Sequence, residues 1–499
     1  MKSYASFLRW FLLTSSIASA LLSNNAPAQP LQREWIRNYS LDASELNQAT
    51  AIAGALDGNI VVAGSSANAG GDLDYEIIEY KPNGDEAWKI RHGSPNAGND
   101  QCRAMTIDPV GNIIVTGTSE TIKISPTGSL VWSVPLAGRA LVANVEHVYV
   151  TGCSDIDIVT VQLENNMVDG RENWRQTFDG PAHGIDIGQT IALDANENVY
   201  VAGQEEHEAC SKGICHAIFA LVSYTSSGAK RWVGEATALT RLESATVQAS
   251  SIIIRSDGVS VFGSYSPNSF LSGYLSRFDL TGKNITNRLV GSFGSKLIVE
   301  KTTGALMSTG MGVLGKAVLT EFDPVTTDAR EIWSYTGPNT STVGNDLAGD
   351  SENNIYVTGF SYNDASTTAM FVAKVALSGM QRGVDRYNSP NAISNYGTAL
   401  AIDSHDNVYV TGYVLNTQGG SEFVTIKYSA APKIEKKPSG AMHLEFHTSP
   451  GQQYSIEGTS DFFNWQSLIT NTADANGILQ FDDPDAPSIP YRFYRGKQP

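Results

Sequence analysis

A turn-and-strand phrase that returns again and again constrains this chain more than anything else in it. "DGNIVVAG", "VGNIIVTG", "NENVYVAG", "NNIYVTG" and "HDNVYVTG" are near copies, each a polar turn followed by an apolar strand that ends on glycine. With the more degenerate versions included, the terminal glycines are Gly64, Gly117, Gly152, Gly203, Gly263, Gly310, Gly359 and Gly412. Their mean spacing of about 50 residues is close to the size of a four-stranded propeller blade.

The rest of the unit fits four strands. In residues 187–234, "GQTIALD" alternates as a first strand, "ANEN" turns, and "VYVAG" is a second. A variable loop leads to "HAIFALVSY" as a third, "SSGAK" turns, and "RWVG" begins a fourth. The last hairpin repeatedly carries glycine four residues before tryptophan: Gly84 and Trp88, Gly128 and Trp132, Gly170 and Trp174, Gly228 and Trp232. Glycine supplies the positive φ of a tight hairpin, and tryptophan a large apolar surface to lay one blade on the next. A lone blade cannot bury both faces, whereas blades set radially cover one another.

"REWIRNYS", residues 33–40, reads as an isolated fourth strand, and the last repeat supplies three strands and stops. The expected fold is therefore all-β: an eight-bladed propeller over 29–429, closed by its N-terminal strand. The third unit is short and "GVSVFG" and "GALMSTG" are degenerate, so a seven-bladed ring is the alternative.

"DNVYVTGY…FVTIKY" and "GNIVVAGSS…DYEIIEYKPNGDEAWKIRHGSP" resemble the SBBP β-propeller repeats of secreted and surface bacterial proteins, over about residues 31–429. The resemblance implies the fold and an exported location, and no shared catalytic motif. After a Pro- and Lys-bearing stretch read as a linker, 430–440, the alternation in "HLEF", "QYSIEG", "ILQF" and "YRFYR" predicts a small antiparallel β-sandwich over 441–499. Its motifs at Gly451–Glu457, Asp461–Trp465 and Arg492–Arg495 resemble a C-terminal module of secreted bacterial proteins, which implies attachment or assembly. Tyr454, Trp465, Phe481 and Phe493 are its expected core.

Residues 1–28 read as a secretory signal peptide, with Lys2 and Arg9 ahead of the apolar "WFLLTSSIASALL" and small-residue cleavage sites after it. No later apolar run has transmembrane length, so the mature chain is expected to be exported, to the periplasm, the cell surface or beyond. Losing the two cations takes the formal charge from −17 to −19. That excess of acid argues against nucleic acid and anionic lipid as partners, and is mainly a solubility device.

Candidate sites are few. Asn47, Asp100, Asp186 and Asn395 each stand 17 residues before a repeat glycine, at the loop entering an innermost strand. Blades would project them together at one channel mouth as a polar ring, with calcium as the possible ion. The competing reading is that each caps its own turn. Asp57, Asp108, Asp194, Asp350 and Asp403 belong to structural hairpins.

In "EEHEACSKGICHA", Glu205, Glu206, His207, Glu208, Cys210, Cys215 and His216 match no standard zinc spacing, and an exported chain favours a Cys210–Cys215 disulfide. That pairing leaves Cys102 with Cys153, which the blade register puts on one face of neighbouring blades.

No phosphate loop, nucleophile elbow or identifiable carboxylate pair is present. The leading expectation is a monomeric, non-enzymatic secreted propeller that binds or scaffolds an extracellular protein, glycan or surface. The alternatives are a polysaccharide-cleaving or quinone-dependent enzyme, or a purely structural envelope component. The chain has no two neighbouring cysteines of the kind quinoprotein propellers carry.

Overall fold

The computed structural model describes residues 13–14 and 31–497, save 96–97, 167, 212–213, 237–244, 268–271, 292, 325, 340, 365, 391, 430–432, 448–450, 475–477 and 490–491. Each repeat becomes a four-stranded antiparallel unit whose strands follow in chain order, and the fourth and fifth units are joined into one eight-stranded sheet by a parallel bridge between His216 and Ala245. The first consists of Asn47–Gly54, Ile60–Ala67, Leu73–Tyr80 and Glu86–His92. Six more begin with Cys102–Ile107, Ala140–Ala143, Ile187–Leu193, Ala245–Arg255, Phe293–Val299 and Thr342–Gly349. The degenerate phrases fall in different sheets: "GVSVFG" lies in strand Gly258–Pro267 of the eight-stranded sheet, and "GALMSTG" leads into Leu306–Met311 of the four-stranded sheet that follows.

The eighth sheet takes three strands from the end of the repeats, Ala392–Ile402, Val408–Asn416 and Ser421–Tyr428, and its fourth from the beginning. Arg33–Tyr39 pairs with Ser421–Tyr428, as in Ile36 opposite Ile426 and Tyr39 opposite Phe423. The first strands touch one another in succession, and Ala392–Ile402 touches Asn47–Gly54.

The repeat glycines are required by space rather than by φ. A Cβ on Gly64, Gly117, Gly203, Gly263, Gly359 or Gly412 would run into a first-strand carbonyl oxygen, that of Gln48, Gln101, Ile187, Gln248, Val343 or Tyr396. Backbone cannot give way as a side chain can. In the short third unit, Gly152 meets only ordinary contacts, its nearest neighbour being the Gly138 Cα at 3.4 Å. Gly412→Ala is therefore expected to cost about 1–3 kcal/mol or more by overpacking. Gly152→Ala should stay within about 1 kcal/mol of the parent. Urea unfolding of the two variants checks this, and equal costs would contradict it.

The hairpin glycines do take positive φ: 85° at Gly84, 80° at Gly128, 58° at Gly170 and 85° at Gly228. Each is covered by the tryptophan of the preceding sheet: Trp35 over Gly84, Trp88 over Gly128, Trp132 over Gly170, Trp174 over Gly228. The indole N–H groups of Trp35, Trp88 and Trp174 donate to carbonyls of those same turns, at Pro82, Pro126 and Ser226 (3.0, 3.2 and 3.0 Å). A side chain here fills the space that a β-carbon would occupy, and so joins sheet to sheet.

Between the first and eighth sheets, Glu76 is buried and hydrogen-bonded to Tyr39 of the N-terminal strand. Burial pushes its carboxyl from 4.5 up to about 7. The folded chain then holds a proton that the unfolded chain has released, so stability falls as pH rises from about 4.5 to about 7. Glu76→Gln is expected to remove on the order of 3 kcal/mol of that slope. Identical stability–pH curves for the parent and the variant would refute it.

Past the eighth sheet, two sheets share one apolar cluster. Lys433–Lys436, Met442–His447 and Ile478–Asp483 form one, and Gln453–Thr459 pairs with Gln466–Thr472 and Phe493–Lys497 in the other. Leu444, Phe446 and Leu479 meet Tyr454, Ile456 and Tyr494. The stretch read as a linker thus contains a strand: residues 433–436 pair with 442–445. The core also differs from expectation. Tyr454 and Tyr494 are buried, whereas Trp465 is half-buried with the Arg495 guanidinium 4.2 Å from its ring centroid, and Phe493 lies on Phe462.

The expected Cys102–Cys153 disulfide is not formed; both are free thiols. Cys102 packs into a cluster with Val61, Ala63, Tyr75 and Ile77 of the first sheet, and burial pushes its thiol up to about 12. Cys153 belongs to the third sheet, on the other side of the second, where its thiol faces the carbonyl of Asp155. Neighbouring sheets were not enough, because the Cys102 side chain packs against the first sheet rather than towards the third, which carries Cys153.

Candidate functional site along the first strands

The first strands are bonded along one edge to the second strand of their own unit; Ala245–Arg255 has in addition a single bridge on its other edge, from Ala245 to His216. Their other edges lie towards the neighbouring first strands, which they touch. One residue opposite each repeat glycine is bulged out of the pairing: Thr50, Arg103, Gln189, Ser250, Ser295, Asn345 and Thr398. In the third sheet Arg139 has this place, its N–H donating to the Thr151 carbonyl (2.8 Å) one residue before Gly152. A bulge re-aims a side chain and leaves it unpaired in the ladder.

Six of these eight side chains are tied to the backbone of the following sheet. Thr50 Oγ1 donates to the Cys102 carbonyl (3.4 Å), and the Ala249 N–H donates to Gln189 Oε1 (2.6 Å). Ser250 donates to Gly294 (3.4 Å), Ser295 to Gly344 (3.0 Å) and Asn345 to Gly397 (2.8 Å). Thr398 Oγ1 donates to the Ala49 carbonyl (2.9 Å), joining the eighth sheet to the first. Arg103 and Arg139 do otherwise. Both are exposed, and among the described residues neither makes a hydrogen bond or an ion pair. Burial, and then the charge of Arg139, lower the pKa of Arg103.

The four residues expected to form a ring at the channel mouth are instead buried and turned back onto their own loops. Each accepts a backbone N–H from six residues earlier: Leu41 to Asn47 (3.1 Å), Ser94 to Asp100 (2.5 Å), Gly180 to Asp186 (2.5 Å) and Ser389 to Asn395 (2.9 Å). Asn47 also donates to the Ser421 carbonyl, and Asn395 to that of Thr368. They fix the loop that enters each first strand. The turn aspartates behave as read: Asp108, Asp194, Asp350 and Asp403 each accept from the N–H and the side chain of the asparagine four residues on.

Among the described residues, one trio could hold a metal ion. Carboxylate oxygens of Asp157, Asp179 and Asp186 lie within 4.8 Å of one another. Burial and the two neighbouring carboxylates raise the Asp186 pKa, while its bonds from the N–H groups of Gly180 and Glu206 oppose the rise. Asp179 is 2.6 Å from the His183 ring. Part of the trio's charge is thus already spent within the chain.

His92, Glu120 and Ser133 gather in a way that resembles a nucleophile site but cannot act as one. His92 Nε2 lies 2.6 Å from Glu120 Oε2, and Ser133 donates to that same oxygen (2.8 Å). The serine is bonded to the carboxylate rather than to a base able to take its proton.

"EEHEACSKGICHA" forms the end of a long hairpin, Val199–Ser211 with Ile214–Tyr224, rather than a loop. The side chains of Cys210 and Cys215, with His207, Glu208 and His216, lie outside the described residues. What the sequence reading missed was the pair Arg103 and Arg139. The signal was present as "RA" in "CRAM" and "GRAL", just ahead of the alternating stretch of consecutive units.

No family model matches the chain, and no curated protein does. Solved structures do. Sqt1 of Saccharomyces cerevisiae is 9% identical, with a TM-score of 0.50 over 80% of this chain and 99% of that one. A chain of a mitotic checkpoint complex is 9% identical over 77% of this chain and 100% of its own, at a TM-score of 0.45. The extracellular domain of BT4673 from B. thetaiotaomicron is 12% identical over 84% of this chain and 58% of its own, at 0.37. At such identities the likeness to Sqt1 speaks for the fold alone, and with the recurrent four-stranded sheets it identifies this chain as a β-propeller.

Proposed function

We propose that the chain is a non-enzymatic, eight-bladed propeller, closed by its N-terminal strand, that binds or scaffolds an extracellular glycan or protein. One observation carries the reading. The residues that recur from blade to blade are spent on the architecture, as turn caps, loop anchors and inter-blade bonds, while two belt positions carry exposed arginines without partners. Propellers commonly bind ligands where loops and inner strands converge. The register of Arg33–Tyr39 on Ser421–Tyr428 supports closure at eight.

Export rests on the signal-peptide reading of residues 1–28. Among the described residues no helix is long and apolar enough to cross a membrane. Kinship with the SBBP repeats rests on the quoted motifs. The tail, read as a sandwich, would serve attachment. A calcium role would run through Asp157, Asp179 and Asp186 rather than through a four-membered ring.

The test exposes the exported chain, residues 29–499, to arrays of glycans and of extracellular proteins, with product release followed in parallel. Saturable binding without turnover is expected. Catalytic cleavage of a polysaccharide, or reduction of a quinone, would overturn the reading.

A further inference from the structure

Arg103 and Arg139 occupy matching places on the inner strands of consecutive blades, in a belt whose other six members are bonded to the next blade. Both arginines are exposed, and among the described residues neither has an acidic partner, although the chain carries 51 acids against 34 cations. Two cations held side by side repel each other, and a cleft concentrates that field rather than dispersing it. Lys296 follows the belt position Ser295, but its ammonium is engaged by Asp346 at 2.6 Å. Among the described residues of the belt, the positive charge without a partner is therefore local, at the second and third blades. Guanidinium groups present planar forks of N–H donors that match the oxygens of carboxylates, sulfates and phosphates.

We infer that Arg103 and Arg139 form an oxyanion-binding site on the inner wall of the propeller, one that takes the carboxylate or sulfate of an acidic ligand small enough to enter the channel. The inference rests on the binding reading above and gives it a ligand chemistry: an acidic saccharide, held by its charged group between two blades. The lowered pKa of Arg103 agrees with this, because its largest causes are burial and the neighbouring Arg139, and a bound anion would relieve the second. The chain's acidic surface adds selectivity.

Calorimetric titration of the exported chain with inorganic sulfate and with a galacturonate trisaccharide tests the site. Binding of sulfate is expected, weakened about tenfold by Arg103→Gln or Arg139→Gln and lost in the double variant. Sulfate stabilises folded chains in general, so thermal melting in sulfate against chloride at equal ionic strength is compared between the parent and the double variant, and the rise in midpoint should be larger in the parent. If sulfate binds at the arginines but the trisaccharide does not, the anion site stands and the acidic-glycan reading fails. If the trisaccharide binds the parent and the double variant equally, glycan binding stands and this site is overturned. No sulfate binding and an equal melting shift in parent and double variant would also overturn it.

Discussion

Removal of residues 29–40 is expected to unfold the last blade and destabilise the whole ring. The segment contributes a complete outer strand, six paired positions along Ser421–Tyr428, and one wall of a core. Trp35 is only 8% exposed, packed with Tyr80 and Tyr409 (ring centroids 6.0 and 5.9 Å away), and it donates to the Pro82 carbonyl of the first blade. Tyr39 lies edge-on to Phe423 at 5.7 Å. Loss of the tryptophan side chain alone, in Trp35→Ala, should cost about 3–5 kcal/mol. The truncation should cost more, since it also uncovers a strand edge and the face of the first blade. Urea denaturation of the truncated chain measures this. A midpoint equal to that of the exported chain would mean that Arg33–Tyr39 closes nothing.

Breaking the Glu34–Lys427 pair should have a comparable effect for a different reason. The two side chains, only 2% and 1% exposed, stand 2.8 Å apart between the closing strand and its neighbour. Ser429 donates to the other oxygen of Glu34 (2.7 Å), and the Lys427 ammonium reaches the Pro82 carbonyl (3.2 Å). Desolvation takes back most of what the attraction gives, so the intact pair adds little net stability, but a buried charge left alone is costly. Glu34→Ala or Lys427→Ala is expected to lose about 3–5 kcal/mol. The double change Glu34→Leu with Lys427→Met should recover most of that loss. Equal losses in the single and double variants would show that packing, not the unpaired charge, sets the cost.

Fold and site differ in how far they can be read from the residues, and the difference has a physical basis. Strand order, the pairing of Arg33–Tyr39 with the last repeat and the Gly–Trp hairpins were legible because each is written in local chemistry: alternation, turn residues, and glycine at positive φ in Gly84, Gly128, Gly170 and Gly228. The repeat glycine was visible as a pattern, but its cause was not. That cause is a carbonyl oxygen pushed towards it by a bulge in a neighbouring strand.

Site chemistry depends on which way a side chain turns, and spacing does not encode that. Asn47, Asp100, Asp186 and Asn395 share a position and point into their own loops. Cys102 and Cys153 stand in consecutive blades, yet the Cys102 side chain packs against the blade before its own. Arg103 and Arg139 look like ordinary surface arginines in the sequence. They stand out only once the bulge places them in a belt whose other members are all bonded.

The closed ring is the premise on which belt, channel and anion site all depend, and hydrogen exchange of the unmodified exported chain tests it most directly. Amides of a paired strand exchange through opening of the structure, whereas those of a loose N-terminal segment exchange freely. Mass spectrometry should find peptides covering 33–39 as slow to exchange as those covering 421–428, with both released together as denaturant is raised. Rapid exchange of 33–39 beside protected 421–428 would contradict the closure and, with it, the eight-bladed ring.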